Sequence, residues 1–251
     1  VLIPDMRYTT QLEEECPGLE LEIRPPGTKM HEELAKLITS CHLANLAIEA
    51  DSMTVSFFEK LKSLCKETQF GLSGGLVEEL REVKDSEEVD AIRYAIKVAQ
   101  SAFAVIGPAL RPDRTEKEVG DELEYQIRLF GGVCGSFPAI VGAGARAALP
   151  HGRPKDDVRL GDSEFVLIDW GAKARLYCSD LTRVLVTGKL SPKLRNVYGV
   201  VLKAQLAAID SIRPGAVLKD VDAAARGTIE RAGFGKAFGH SLGDGIGRKL
   251  H

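Results

Sequence analysis

The hydrophobic and polar positions of the first 83 residues follow a short-range pattern. Apolar segments with strand character alternate with helical stretches over residues 31–39 and 54–66. The strand-like segments cover residues 1–5, 19–26, 44–51 and 70–80. This alternation predicts a small α/β domain. Because Val1–Pro4 has the pattern of the middle of a buried strand, we expect this domain to be partial.

A longer helical periodicity begins after residue 84. Asp85 to Glu88 is an acidic capping sequence, and the apolar positions that follow recur every three and four residues as far as Ile106. Pro108 and Pro112 are predicted to end this helix. We therefore predict two domains, residues 1–84 and 85–251, the second of them incomplete.

Three more helices are predicted in the second domain. A capping box at Thr115 to Glu118 opens a helix that runs to Phe130. Ser191-Pro192 opens the next one, and the last covers residues 219–232.

The two helix pairs resemble each other. With an ungapped shift of 102 residues, Arg111-Pro112 falls on Arg213-Pro214 and Gly131 falls on Gly233. Helical periodicity alone aligns apolar positions, so a coincidence between two amphipathic hairpins is the alternative. The shared Arg-Pro and glycine positions favour a duplicated helix–helix–strand unit.

A β-rich stretch lies between the helix pairs. Strands are predicted at residues 137–141, 165–170 and 176–186, with Gly171 to Arg175 as a hairpin connection. The fold class is therefore α+β, with duplicated units around antiparallel strands.

Composition excludes several classes of protein. Apolar residues make up 44% and charged residues 27% of the chain, and the net charge is -3, values typical of globular domains rather than disordered or fibrous ones. Like charges do not form blocks, and no apolar run approaches the ~18 residues of a membrane span, so we expect neither nucleic acid nor membrane as a partner. The five cysteines are odd in number and lack a CxxC pair, which favours a cytoplasmic setting.

Two aspartates mark the predicted hairpin. Asp169 follows four apolar residues, and Asp180 lies on the opposite arm, so both carboxylates are expected to project from one sheet face. Such a pair repels unless a divalent metal or a pair of metals compensates it. The alternative is that Asp169 caps the turn and Asp180 pairs with Arg183 or Arg175.

Three of the five histidines, His151, His240 and His251, lie in loop-like or terminal contexts. A lone histidine is more often structural. Three in such contexts, beside paired aspartates, suggest acid–base catalysis, oxyanion stabilisation or metal ligation.

Four motifs in this order resemble the pita-bread metallopeptidases, which include Xaa-Pro aminopeptidases, prolidases, methionine aminopeptidases and creatinase. The motifs are Pro-His-Gly-Arg-Pro at 150–154, Ile-Asp-Trp-Gly-Ala at 168–172, Ser-Asp-Leu-Thr-Arg at 179–183 and Gly-His-Ser-Leu-Gly-Asp-Gly-Ile-Gly-Arg-Lys-Leu-His at 239–251. Residues 5–11 and 76–81 resemble the Xaa-Pro branch in particular. The resemblance implies a pita-bread domain with a curved antiparallel sheet, preceded by a smaller creatinase-like domain.

The resemblance also implies a site with two divalent metals, Mn(II) by expectation and Zn(II) or Co(II) as alternatives. Asp169 would bind one metal in bidentate fashion, and Asp180 would bridge both. His151 matches a substrate-side histidine, whereas His240 and His251 match histidines that contact the substrate or stabilise the tetrahedral intermediate. Asp244 stands where the family motif has a metal-binding histidine, which adds negative charge and should alter geometry and metal preference.

By resemblance, the reaction is hydrolysis of the peptide bond before proline, in which a bridging water activated by the metals attacks the carbonyl. Two further glutamate ligands should follow His251, and short peptides with proline second are the expected substrates of a homodimer. Two alternatives remain open. One is a metal-independent C–N hydrolase like creatinase, favoured by Asp244 but opposed by Asp169 and Asp180. The other is a non-catalytic member that binds a peptide or protein.

Overall fold

A computed structural model describes residues 1–250, which divide into two compact units. The first comprises residues 1–83, and the second begins at Lys84.

The N-terminal unit is built around two parallel strands. Its elements are α1 (Thr9–Glu15), α2 (Met30–Ser40), β1 (Asn45–Glu49), α3 (Val55–Leu64), β2 (Gln69–Ser73) and α4 (Leu76–Glu82). β1 and β2 pair in register from Asn45–Gln69 to Glu49–Ser73, and α3 is the crossover between them. Ile38 of α2 and Leu61 of α3 are buried in the small core of this unit.

The strands predicted at residues 1–5 and 19–26 are reduced to isolated parallel bridges. Leu2 pairs with Leu21, and Asp5 pairs with Arg24. Proline at position 4 and at positions 25 and 26 supplies no backbone N–H, which prevents a continuous ladder.

The second unit opens with the helix pair α5 (Ser86–Ala109) and α6 (Glu116–Leu129). Both predicted caps form: the side chains of Asp85 and Thr115 accept hydrogen bonds from the backbone N–H groups of Glu88 and Glu118. Pro108 does not end α5 but lies within its last turn, because one helical residue follows it.

Six short strands follow α6. They are β3 (Cys134–Gly135), β4 (Ile140–Ala143), β5 (Phe165–Trp170), β6 (Ala172–Ala174), β7 (Tyr177–Cys178) and β8 (Leu181–Val186). All pairings among them are antiparallel, and they give two three-stranded sheets with the orders β3-β6-β7 and β4-β5-β8.

The hairpin connection was predicted too early in the chain. Residues 172–174 form a strand, because Ala172 and Ala174 are buried between neighbouring strands. The turn lies at Arg175 and Leu176, which both have positive φ, as a two-residue hairpin turn of the primed kind requires. The predicted strand 176–186 is likewise split, with Ser179 and Asp180 between its two parts.

A second helix pair, α7 (Pro192–Ser211) and α8 (Leu218–Arg231), repeats the first. The end of α7 and both ends of α8 lie 102 residues after those of α5 and α6. Core positions correspond as well: Ala102, Val119 and Ile127 are buried, and so are Ala204, Val221 and Ile229. The predicted duplication is therefore confirmed at the level of helix ends and core positions.

The main core lies between α5, α6 and the strands. Trp170 is buried there, stacks on Phe103 with ring centroids 4.4 Å apart, and donates a hydrogen bond from Nε1 to the Ala99 carbonyl at 3.0 Å. Within residues 1–250, no helix is both long enough and apolar enough to cross a membrane.

Candidate active site

A close backbone approach shapes the centre of the second unit. A Cβ atom at Gly171 would collide with the Ser179 carbonyl oxygen and with the Ser136 hydroxyl. The Ser136 hydroxyl donates to that carbonyl at 2.7 Å, and the buried Ser179 hydroxyl accepts from the Ala172 N–H at 3.0 Å. A glycine is therefore required where the chain passes from one sheet into the other.

The hairpin register continues across this interruption and brings the two aspartates to one face. Asp169 of β5 is paired with Thr182 of β8, and Asp180 lies two residues before Thr182. Because paired residues share a face and side chains alternate along a strand, Asp169, Thr182 and Asp180 project to the same side. The Thr182 hydroxyl donates to Asp169 Oδ1 at 2.8 Å.

The two carboxyl groups perturb each other. Burial, with repulsion from Asp169 and Asp244, raises the pKa of Asp180 to about 6. The pKa of Asp169 is also raised, chiefly by burial, although the hydrogen bond from Thr182 opposes this change. The interaction between the two side chains raises the pKa of Asp180 and lowers that of Asp169, so it favours a protonated Asp180 beside an ionised Asp169.

The arginines considered as alternative partners of Asp180 have other contacts. Arg175 lies over the Tyr94 ring, with its guanidinium carbon 4.0 Å from the ring centroid. Arg183 donates to the Thr182 carbonyl at 2.7 Å. Neither arginine therefore offsets the burial and the repulsion that raise the pKa of Asp180.

Two histidines from distant segments meet beside the aspartates. The rings of His151 and His240 are in edge contact, with centroids 6.1 Å apart and an interplanar angle of 67°. His151 lies close enough to Asp169 to favour its ionised form, and Asp244, in the same segment as His240, disfavours it. The structure thus brings together five of the six site residues expected from the sequence; His251 lies outside the described residues.

An ion pair on α8 holds the segment that carries His240. Arg226 contacts Asp222 with Nε at 2.8 Å from Oδ2, and it donates to the carbonyls of Phe238 and His240 at 2.9 and 3.0 Å. Asp222 accepts in turn from the Leu242 N–H at 3.0 Å. The main-chain path of this segment is therefore set from α8.

The sequence analysis missed Asp222, Arg226 and Thr182. The Asp–Arg spacing of four residues on a helix is a recognisable signal for an ion pair, but it does not reveal the loop carbonyls that Arg226 binds. Thr182 is detectable once the hairpin register is known, because it is the residue opposite Asp169.

The donor chemistry of the site fits a hard divalent cation. Three carboxylates close enough to repel one another offer oxygen ligands, and bound positive charge would relieve their repulsion. In the part of the chain that the structure describes, however, no group of three or more His, Cys, Asp or Glu side chains is already arranged to hold an ion. The aspartates are thus coupled electrostatically without forming a complete ligand cage.

Solved structures share this architecture. A Xaa-Pro dipeptidase from Bacillus anthracis superimposes with a TM-score of 0.92 at 36% identity, covering 99% of this chain and 69% of that one. An X-Pro aminopeptidase from Thermotoga maritima gives 0.88 at 34% identity, covering 99% and 70%. The fold and the clustered aspartates and histidines define a metallopeptidase of the pita-bread class, so the predicted fold class is confirmed.

Family models identify both parts of the chain. Residues 90–251 match metallopeptidase family M24, and residues 1–83 match the creatinase/prolidase N-terminal domain. A Xaa-Pro dipeptidase from Pyrococcus horikoshii is 32% identical over 244 residues, which are 97% of this chain and 68% of that protein. The chain therefore belongs to metallopeptidase family M24 and is a peptidase of that family, which confirms the resemblance found in the sequence.

Proposed function

We propose that this protein hydrolyses the peptide bond before proline in short Xaa-Pro peptides and that it depends on divalent metal ions. The observation that carries the proposal is the convergence of Asp169, Asp180 and Asp244, where burial, together with repulsion from the other two carboxylates, raises the pKa of Asp180 to about 6. Three neighbouring carboxylates are an unfavourable arrangement without a compensating cation. Relatives named as Xaa-Pro dipeptidases support the substrate class.

Each residue has a distinct role in this proposal. Asp169, Asp180 and Asp244 would hold the metal, with Mn(II) as the preferred ion. Divalent ions bound there supply Lewis acidity and lower the pKa of water, as in other metallohydrolases. The Thr182 hydroxyl keeps the Asp169 carboxylate oriented, because it occupies one lone pair of Oδ1 at 2.8 Å.

His151 and His240 would act on the substrate. Their rings are in edge contact with centroids 6.1 Å apart, and His151 lies close enough to Asp169 to favour its ionised form. A neutral imidazole there donates a hydrogen bond to the scissile carbonyl oxygen as negative charge develops, and a protonated one supplies a proton to the leaving nitrogen. His251 is proposed to share this role.

The experiment combines metal analysis with a cleavage assay. Purified protein is stripped with EDTA, supplied with Mn(II), Zn(II) or Co(II), and assayed with an Ala-Pro dipeptide and with Ala-Ala as the non-proline control. We expect bound metal and release of alanine from Ala-Pro with Mn(II). Asp169→Asn should abolish both, whereas Asp157→Asn, at an exposed position, should preserve both.

Asp244→His restores the residue of the family motif and tests the proposed role of position 244. We expect tighter metal binding than in the wild type, because a neutral imidazole replaces a repelling carboxylate. Absence of metal together with turnover of a small amidino compound would instead support the metal-independent alternative. Absence of both would indicate a non-catalytic binding protein.

We also propose a homodimer in the cytoplasm. The dimer is supported by the family resemblance, and the reducing compartment by the free thiols of all five cysteines. Light scattering coupled to gel filtration tests the dimer, and fractionation of the source cells tests the compartment.

A further inference from the structure

The segment that carries His151 is fastened at both ends by one buried carboxylate. Glu116, the first residue of α6, is fully buried. Its oxygens accept hydrogen bonds from the backbone N–H of Ala143 at 2.9 Å and from that of Lys155 at 3.0 Å. These two donors lie on either side of residues 144–154, so the whole segment is attached to the start of one helix.

An arginine extends this attachment across the segment. Arg146 Nε lies 2.9 Å from both Glu116 oxygens, and Nη2 of the same side chain donates to the Arg153 carbonyl at 2.7 Å. His151 lies between Arg146 and Arg153 in the chain. The guanidinium thus connects the two arms of the loop on either side of the histidine.

The arrangement is specific for a carboxylate. A buried charge is costly unless it is paired and hydrogen-bonded, and here two backbone donors, a guanidinium and the helix N-terminus compensate it. A glutamine has the same shape but a single acceptor oxygen, so its NH₂ group would face a backbone N–H of Ala143 or Lys155. An apolar residue at position 116 would allow α6 to form but would leave the backbone of residues 144–154 without its anchor.

We propose that Glu116, acting through Arg146, is a positioning residue for His151. The carboxylate determines where the imidazole stands relative to Asp169 and His240, so its effect on peptide cleavage passes through the histidine. This inference rests on the proposed function for its catalytic readout. The position of the ring is a property of the metal-free protein and can be measured separately.

The decisive test is a double-mutant cycle. Wild type, Glu116→Gln, His151→Ala and the double variant are loaded with Mn(II) and assayed for kcat/KM on Ala-Pro. The control is Glu118→Gln, two residues further along α6. The exposed Glu118 side chain accepts a hydrogen bond from the Thr115 N–H, and the amide oxygen of glutamine can accept the same bond. All rates are corrected for the folded fraction.

We expect Glu116→Gln to lower kcat/KM about 10- to 100-fold, because a displacement of about 1 Å is sufficient for such a loss. In the His151→Ala background the same substitution should have no further effect, and Glu118→Gln should stay within about twofold of wild type. A merely structural role predicts losses that multiply in the double variant. Multiplying losses would overturn the proposal.

Two measurements on the metal-free protein separate this inference from the proposed function. Amide exchange at Ala143 and Lys155 should become at least about tenfold faster in Glu116→Gln. The ring-proton NMR signals of His151 should shift, while those of His31 and His42, in the N-terminal unit, stay in place.

If the wild type does not cleave Ala-Pro, the proposed function fails, yet these two measurements still decide the positioning role. Unchanged exchange and unchanged His151 signals would refute it. If Glu116→Gln does not fold, Arg146→Lys replaces it, because lysine keeps the charge but cannot bridge Glu116 and the Arg153 carbonyl together; the same shifts of His151 are then expected.

Discussion

Removal of one carboxylate from the aspartate cluster should stabilise the metal-free protein. Asp180→Asn eliminates the group whose pKa is raised from 3.8 to about 6 by burial and by repulsion from Asp169 and Asp244. If this difference were fully transmitted to folding, it would correspond to about 3 kcal/mol, at 1.36 kcal/mol for each tenfold change. Asp180 is more than a third exposed, so solvent screening reduces the expected gain to about 1 kcal/mol.

The sign of the pH dependence follows from linkage. Between pH 3.8 and about 6 the native state binds the Asp180 proton more tightly than the unfolded chain does, so this group lowers stability as the pH rises through that interval. The penalty is complete above pH 6 and absent below the unfolded pKa. The stability advantage of Asp180→Asn should therefore be largest at pH 7.5 and fall to roughly a third of that at pH 4.5.

The measurement is urea unfolding of both proteins in EDTA at the two pH values, with Asp157→Asn as a control for loss of an exposed charge. Addition of Mn(II) at pH 7.5 should then reverse the order, because a cation that binds only the native state stabilises the wild type more than the variant. An Asp180→Asn variant that is no more stable than the wild type at pH 7.5, or whose advantage does not shrink at pH 4.5, would refute the reasoning.

Three further substitutions test separate contacts. Arg226→Ala removes an ion pair and two hydrogen bonds to loop carbonyls, so the midpoint of urea unfolding should fall, whereas an unchanged midpoint would contradict the anchoring role. Gly171→Ala places a methyl group against backbone and should cost about 2 kcal/mol or more in thermal unfolding, while Gly188→Ala, with open space around it, should change little. Thr182→Val removes the hydrogen bond that lowers the pKa of Asp169, so carboxyl ¹³C NMR of the metal-free protein should show a higher pKa for Asp169. An unchanged pKa would contradict this role of the Thr182 hydroxyl.

The helices of this fold are predictable from the sequence because their ends carry local signals. Asp85 and Thr115 act as caps, as their sequences indicate, and Ser191 accepts from the Leu194 N–H at the start of α7. The 102-residue repeat provides a second, independent check on the same boundaries. The error at Pro108 is small because proline within a last turn breaks few helical hydrogen bonds.

The strands were harder to predict because their limits depend on distant partners. The switch between sheets at Gly171 depends on the Ser179 carbonyl and the Ser136 hydroxyl, and the latter lies 43 residues earlier in the chain than Ser179. Alanine-rich residues 172–174 have weak strand propensity, and their burial between β3 and β7 overrides it. Period-two alternation nevertheless placed both aspartates on one face, because the register continues across the break.

The aspartates and the histidines of the site are held in place by different contacts, and only the placement of the aspartates can be predicted from the sequence. The aspartates are placed by a hairpin, so alternation and register give their common face. The histidines are placed by charged side chains of two repeated helices, Glu116 on α6 and the Asp222–Arg226 pair on α8, which bind loop backbone that no local pattern connects to them. A substitution in the hairpin should therefore first change the charge of the aspartate cluster and the pH dependence of stability. A substitution in α6 or α8 should first change the positions of the histidine rings. The edge contact of His151 and His240 therefore joins a loop held by α6 to a loop held by α8, although Glu116 and the Asp222–Arg226 pair do not occupy equivalent positions of the 102-residue repeat.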